Sequence, residues 1–166
     1  MTGAMIGALI LGYATLSRLL ELVIARRNEA ALKQQGAQEF GAAHYPLIVL
    51  LHTSWLITMW LLFWGQPIVA FWLAIFIILQ PLRYWVLGTL GRRWTTRVLM
   101  VPGETLVRRG PYRWIRHPNY WVVIGEIASL PLAFGLWRSA LIFSVLNAIA
   151  LSVRIRTEEA ALLPVR

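Results

Sequence analysis

The residues best suited to chemistry lie in Gly110-Pro-Tyr-Arg-Trp-Ile-Arg-His-Pro-Asn-Tyr120. A Gly-Pro turn leads into a cationic, aromatic run, and Pro118 then opens a helix. Proline suits a first helical turn, and the free N–H groups there favour an anion. Arg113 and Arg116 can grip a carboxylate or phosphate in a forked geometry. Tyr112, Trp114 and Tyr120 offer faces to a purine ring or a sulfonium. Trp, Tyr and Arg also populate the headgroup level of a bilayer. The stretch therefore reads either as a ligand pocket or as an interfacial belt. A second constellation, Arg154-Ile-Arg156-Thr-Glu158-Glu159, ends the last apolar segment. Alone it reads as a solvated helix end. On the same side as the first motif it becomes the other wall of a pocket.

Further polar groups lie within apolar segments, where a charge at mid-helix costs about 2.5–3.5 kcal/mol by insertion scales. Arg18 and Glu21 are three apart on one helix face and can pair, holding helix one to a bundle. Glu126 has no local partner; it is either functional or paired to a distant arginine. His44 and His52 lie eight apart, on roughly one face of helix two. They either hydrogen-bond across helices or serve an acceptor. No His/Asp/Glu cluster has metal-ligand spacing and the chain has no cysteine, so no metal is expected.

The elements that must position these residues are membrane helices. Of 166 residues, 58% are hydrophobic and 14% charged. A soluble globular chain has roughly 45–50% and 25%. The net charge of +9 points to anionic lipid headgroups or an anionic substrate. Nucleic acid is not expected, because no soluble domain presents a groove. The amino terminus lacks a basic n-region, so Met1 onward reads as a retained first helix ending at Arg26-Arg27. Gly3 and Gly7 form a GxxxG pattern that either admits a neighbouring helix or merely places small residues in an apolar helix. Residues 28–43 read as a loop or short interfacial helix. No charge occurs from Phe40 to Leu82, enough for two passes. Gly65-Gln66-Pro67 divides them into helices at about 44–64 and 68–88, the latter with a kink at Gln80-Pro81. Helix four is expected at about 118–134 and helix five from near Arg138 to about Ala161. The result is an all-α, multi-pass transmembrane bundle of about five helices in a single domain, 1–166. Residues 1–88 hold the first three helices, and 89–166 hold the half with the basic segment and both motifs. Basic residues gather in 26–43 and 89–117, which sets the C-terminus in the cytoplasm and the N-terminus outside.

GPYRWIRHPNY followed by RIRTEE resembles the isoprenylcysteine carboxyl methyltransferase family, whose cofactor region is similar to that of membrane phospholipid methyltransferases. Gln80-x-x-Arg83-Tyr-Trp85 and Leu87-Gly-x-Leu-Gly-x-x-Trp94 are similar to it as well. The amino-terminal half, with Glu21, Arg26-Arg27-Asn28, Gly36-Ala-x-Glu39 and His44-Tyr45-Pro, looks more like a bacterial branch that methylates a ring hydroxyl of alkylpyrones or alkylresorcinols. The resemblance implies S-adenosylmethionine as donor, with S-adenosylhomocysteine as product. It implies a cofactor entering from the cytoplasm and a lipophilic acceptor entering from the bilayer between helices. Val107, Tyr112, Arg116, His117, Tyr120 and Glu158 would contact the cofactor. Arg156 and Glu159 would lie near the transferring methyl as the catalytic pair. His44, His52 and Arg83 are placed on the acceptor side. Only seven residues follow Glu159, where longer family members can close the site with their tails.

Methyl transfer is an in-line displacement, in which alignment can supply up to about 7–11 kcal/mol. Arg156 is expected to orient or stabilise the acceptor oxyanion, and Glu159 to fix Arg156 or accept a proton. Two alternatives have different signatures. An NADPH-dependent reductase of sterol-like double bonds carries a similar Arg-His-Pro region but is longer. A non-enzymatic module gripping anionic lipid would tolerate Arg→Lys at 113 and 116, which forked recognition would not.

Overall fold

The computed structural model describes residues 3–162; Met1, Thr2 and the tail from Leu163 lie outside the described residues. Five helices carry the fold: α1 (Gly3–Gln34), α2 (Tyr45–Leu62), α3 (Ala70–Leu90), α4 (Pro118–Ala133) and α5 (Trp137–Leu162). Two short strands, β1 (Gln38–Phe40) and β2 (Val98–Met100), pair antiparallel with Glu39 opposite Leu99. The expectation of an all-α membrane bundle holds, apart from this ribbon.

α1 does not end at Arg26-Arg27. Asn28 to Gln34 are mostly competent helix formers, and the helix continues until Gly36 turns it off at φ +82°. There the Ala37 and Gly36 N–H groups donate back to the Leu32 and Lys33 carbonyls, a Schellman termination. The chain then forms β1 instead of the expected loop or interfacial helix. A single three-residue strand carries no periodic signal; its partner lies 60 residues away in the basic segment. Arg97, just before β2, ties this end together. It pairs with Glu39 and with Glu29 at 3.4 Å, and its guanidinium lies 4.1 Å from the Tyr45 ring centre. Tyr45 and Thr96 share a hydroxyl hydrogen bond of 3.0 Å. The C-terminal ends of α1 and α3 and the N-terminal end of α2 therefore gather at one polar end of the bundle.

Among the described residues, four helical segments are long and apolar enough to cross a membrane. α4, the expected fourth pass, is shorter. Its 16 residues rise about 24 Å, less than the roughly 30 Å hydrocarbon core. It nevertheless runs between the two ends of the bundle. Tyr120 meets Glu158 of α5 at the polar end. At the other end the Ala133 carbonyl accepts the Val69 N–H at 2.8 Å, and Phe134 packs on Phe63. α4 is mostly buried because α3 and α5 flank it, so it needs less lipid-facing length.

The apolar core joins Leu11, Trp55, Met59, Phe76, Leu130, Phe134 and Phe143, contributed by all five helices and the turn after α4. Gly7 packs close to Phe63 and Phe134, whose rings would meet a Cβ there at 2.9 and 3.2 Å. Gly3 has nothing within 4 Å. The GxxxG pattern thus admits aromatic side chains at one of its glycines, not a helix backbone.

Deeper in the bundle sits an ion cluster from three helices. Arg83 (α3) grips Glu21 (α1) in a bidentate fork, Nε and Nη2 each 2.5 Å from a carboxylate oxygen, and reaches Glu126 (α4) with Nη1 at 3.0 Å. Arg18 (α1) donates to the same two carboxylates at 2.9 and 2.7 Å. Gln80 adds a 3.1 Å hydrogen bond to Glu126. Two cations and two anions balance. The expected Arg18–Glu21 pair is present, and Glu126 finds its distant arginines.

Candidate cofactor site

Gly110 starts the site. At φ +55° it takes a left-handed turn, and a Cβ would strike the Thr89 hydroxyl at 2.6 Å. Glycine is therefore required where the loop from β2 folds back onto α3. Gly110–Arg113 form one 3-10 turn, and His117 precedes Pro118 at the start of α4. This geometry brings the loop, the start of α4 and the end of α5 around one cavity of about 710 Å³. Small-molecule sites typically occupy about 300–1,000 Å³.

All six residues expected at a cofactor, Val107, Tyr112, Arg116, His117, Tyr120 and Glu158, line this cavity. Their network starts at Arg154 of α5. Its Nη1 donates to the Thr96 carbonyl at 2.8 Å and its Nε to the Tyr120 hydroxyl at 2.9 Å. Tyr120 in turn donates to Glu158. His117 Nδ1 lies 3.5 Å from the other Glu158 oxygen, and the His117 ring stacks on Tyr120 with centroids 5.3 Å apart. The Glu158 carboxylate, with Glu159 nearby, holds the His117 imidazole above its ordinary pKa. Burial pushes the Tyr112 hydroxyl up as well, keeping it a neutral donor.

The expected catalytic pair is placed differently from the cofactor residues. Arg156 is exposed and does not line the cavity, whereas Arg154 does. Glu159 stands one step outside the lining, 3.8 Å from His117 Nε2 and 4.0 Å from an Arg116 nitrogen. The sequence reading placed Arg154 in the second motif but gave it no role of its own. Its available signal was spacing, because Arg154 and Glu158 are four apart on one helix face. Arg156 and Glu159, three apart, satisfy the same rule, so spacing leaves the choice open.

The acceptor-side residues do not join the cavity. Arg83 belongs to the buried ion cluster. His44 ends a 3-10 turn before α2, beside Gly41 and near Thr157, instead of sharing α2 with His52. His52 sits one turn above the Ile48 carbonyl at 2.9 Å; that oxygen can only accept, so Nδ1 donates. Among the described residues no group of three His, Asp or Glu could hold a metal ion.

Residues 72–164 match the model of the isoprenylcysteine carboxyl methyltransferase family. The chain is 44% identical over 160 residues to an uncharacterized protein, YpbQ, of Bacillus subtilis, covering 93% of this chain and 95% of the relative. It is 27% identical over 152 residues to an uncharacterized protein of Haemophilus influenzae, covering 87% and 88%. No solved structure matches it. The matched region begins in α3 and contains the whole lining except Leu32, so the chain belongs to the isoprenylcysteine carboxyl methyltransferase family of membrane methyltransferases.

Proposed function

We propose that the chain is an S-adenosylmethionine-dependent O-methyltransferase whose acceptor is a lipophilic molecule dissolved in the membrane. The observation that carries this reading is the cavity at the polar end. It unites the Gly110–Tyr120 and Arg154–Glu158 stretches, 34 or more residues apart in sequence, around a space of nucleoside size. The cavity also fits the donor chemically. Asn119 Oδ1 and His117 Nε2 are buried on its wall without a hydrogen-bond partner. Buried polar atoms in that state are suited to a ligand.

When bound, the cofactor supplies an electrophilic methyl on a sulfonium that departs as a neutral thioether. Arg113 and Arg116 suit its carboxylate, Tyr112 and Tyr120 offer ring faces, and Asn119 offers an unpaired polar atom. Arg154, fixed by Thr96 and Tyr120, directs its charge into the same cavity. We assign it the orienting and oxyanion-stabilising part expected of Arg156. A guanidinium held in place favours the ionised acceptor oxygen and aims it at the methyl; that negative charge is neutralised as the O–C bond forms, so the arginine's part is ionisation and alignment. Glu159 acts through His117 and Arg116. The acceptor is an isoprenylcysteine-type carboxylate or an alkylpyrone or alkylresorcinol hydroxyl.

The test combines calorimetry with a methyl-transfer assay on purified protein. S-adenosylhomocysteine should bind the wild type. Labelled S-adenosylmethionine should methylate one member of a panel of prenylcysteines, alkylpyrones and alkylresorcinols. His117→Ala should weaken cofactor binding. Arg154→Ala should lower kcat about 10²-fold, the scale of a misaligned reacting group, while Arg156→Ala stays within tenfold. Absence of S-adenosylhomocysteine binding to the wild type would overturn the assignment.

A further inference from the structure

Arg154 is a long, flexible side chain, so its use in the transfer step depends on what holds its head. Two tethers do. The Tyr120 hydroxyl accepts from Nε at 2.9 Å, and the Thr96 carbonyl accepts from Nη1 at 2.8 Å. Tyr120 is anchored in α4. Thr96 has no such scaffold. Residues 94–97 link the 3-10 turn Gly91–Arg93 to β2 outside any helix or strand, so no regular ladder of hydrogen bonds aims the Thr96 carbonyl. Side chains from residues 28–45 take over that task. The Tyr45 hydroxyl, at the start of α2, meets the Thr96 hydroxyl at 3.0 Å. The Arg97 guanidinium lies over the Tyr45 ring and pairs with Glu29 and Glu39. Asn28 donates to the Trp94 carbonyl at 2.7 Å. Asn28, Glu29, Glu39 and Tyr45 all precede the stretch 72–164 that matches the methyltransferase family. The mounting of Arg154 therefore comes from outside the matched half.

We propose that Tyr45 is a positioning residue for methyl transfer. Its hydroxyl fixes Thr96, the Thr96 carbonyl fixes Arg154 Nη1, and the guanidinium is thereby aimed at the acceptor oxygen. The inference rests on the methyltransferase reading and adds the residues that set its geometry. Neither Tyr45 nor Thr96 lines the cavity, so neither meets the cofactor, and their influence on the reaction passes through Arg154. Without the Tyr45–Thr96 bond one of the two tethers slackens, and the guanidinium pivots about its bond to Tyr120. A displacement of about 1 Å at a reacting centre can cost about 10²-fold in rate, and a partial loss of aim costs less. Cofactor binding falls to other parts of the wall, among them Tyr112, Arg116, His117 and Asn119. The lesion therefore falls on kcat and leaves donor binding alone. Two substitutions isolate the bond. Tyr45→Phe keeps the ring against Arg97, and Thr96→Val keeps the shape of the side chain, so each removes only a hydroxyl.

The experiment measures kcat, the KM for S-adenosylmethionine and calorimetric S-adenosylhomocysteine binding, with an acceptor from the panel that the wild type methylates. Tyr45→Phe and Thr96→Val should each lower kcat about tenfold, less than Arg154→Ala does. The double variant should fall no further than either single one, because both break the same bond. Thr96→Ser, which keeps the hydroxyl, should retain the wild-type kcat. The KM for the donor and S-adenosylhomocysteine binding should stay at wild-type values throughout this set. Added to Arg154→Ala, Tyr45→Phe should cost nothing more, since no guanidinium is left to aim. A wild-type kcat in Tyr45→Phe would overturn the inference and leave the methyltransferase reading standing. So would a Tyr45→Phe loss that persists in full beside Arg154→Ala, or S-adenosylhomocysteine binding that weakens in step with kcat; either would make Tyr45 part of the scaffold alone. A wild type that transfers methyl to no acceptor would overturn both.

Discussion

His117 illustrates how one side chain acquires its properties from residues far away in sequence. Glu158, 41 positions later, accepts from it and raises its pKa. A raised imidazole pKa stabilises the fold below the ordinary value near 6.5, and the contribution disappears as pH climbs through the raised value. Thermal unfolding of wild type and His117→Gln in detergent should therefore diverge most below pH 6.5 and converge under alkaline conditions. Equal separation across the range would show that the pair contributes nothing. Arg154 and Arg156 teach the complementary lesson. Both are arginines at the charged end of α5, two residues apart, and their sequence context is the same. Which one lines the cavity is decided by the rotation of α5 about its axis, set by Ala140, Phe143, Asn147 and Leu151 packing into the bundle. Local spacing does not encode that rotation.

Among the elements, α1, α3 and α4 depend on charge as well as on apolar packing. Glu126 is 1% exposed and receives both Arg18 and Arg83. Replacing it with leucine leaves the buried Arg83 and the half-buried Arg18 facing the single carboxylate of Glu21, and losing one partner of a buried pair costs about 3–5 kcal/mol. Glu126→Leu should lower unfolding free energy in detergent by that amount. Lys33→Ala, at the exposed 3.3 Å pair with Glu39, should cost less than about 1 kcal/mol. A loss at Glu126 no larger than at Lys33 would assign the cluster no structural weight. α2, α3 and α5 follow closely from the sequence, because long uncharged runs with Gly-Pro punctuation admit few alternatives. The end of α1 and the β1–β2 ribbon do not. Residues 28–43 are polar enough for loop or helix, and only their pairing with residues 98–100 makes a strand.

At the scale of the molecule, the arginine-rich loop, the ribbon and the cofactor cavity share one end. We propose that this end faces the cytoplasm, since basic residues stay there during insertion. The chain contains no cysteine, so single cysteines report topology cleanly. In intact cells a membrane-impermeant maleimide should label Gln66→Cys, in the turn between α2 and α3, and spare Arg108→Cys until the membrane is opened. The reverse pattern would invert the topology. The short α4 bears on this orientation: it joins the two ends while relying on α3 and α5 for cover, although among the described residues four helical segments reach spanning length.

Composition and charge by themselves determined that this chain enters a membrane, where its apolar segments lie and which loops are basic, because transfer energies depend on residue type and contiguous length. The motifs at 110–120 and 154–159 marked two stretches that meet at the cavity, since their charged and aromatic residues are concentrated there. Tertiary structure alone decided that Arg83 closes an ion cluster with Arg18, Glu21 and Glu126, and that Arg154 and not Arg156 lines the cavity. Those outcomes depend on how each helix is rotated and inclined against its neighbours. Packing of the whole bundle sets those angles, and no segment of the chain specifies them alone.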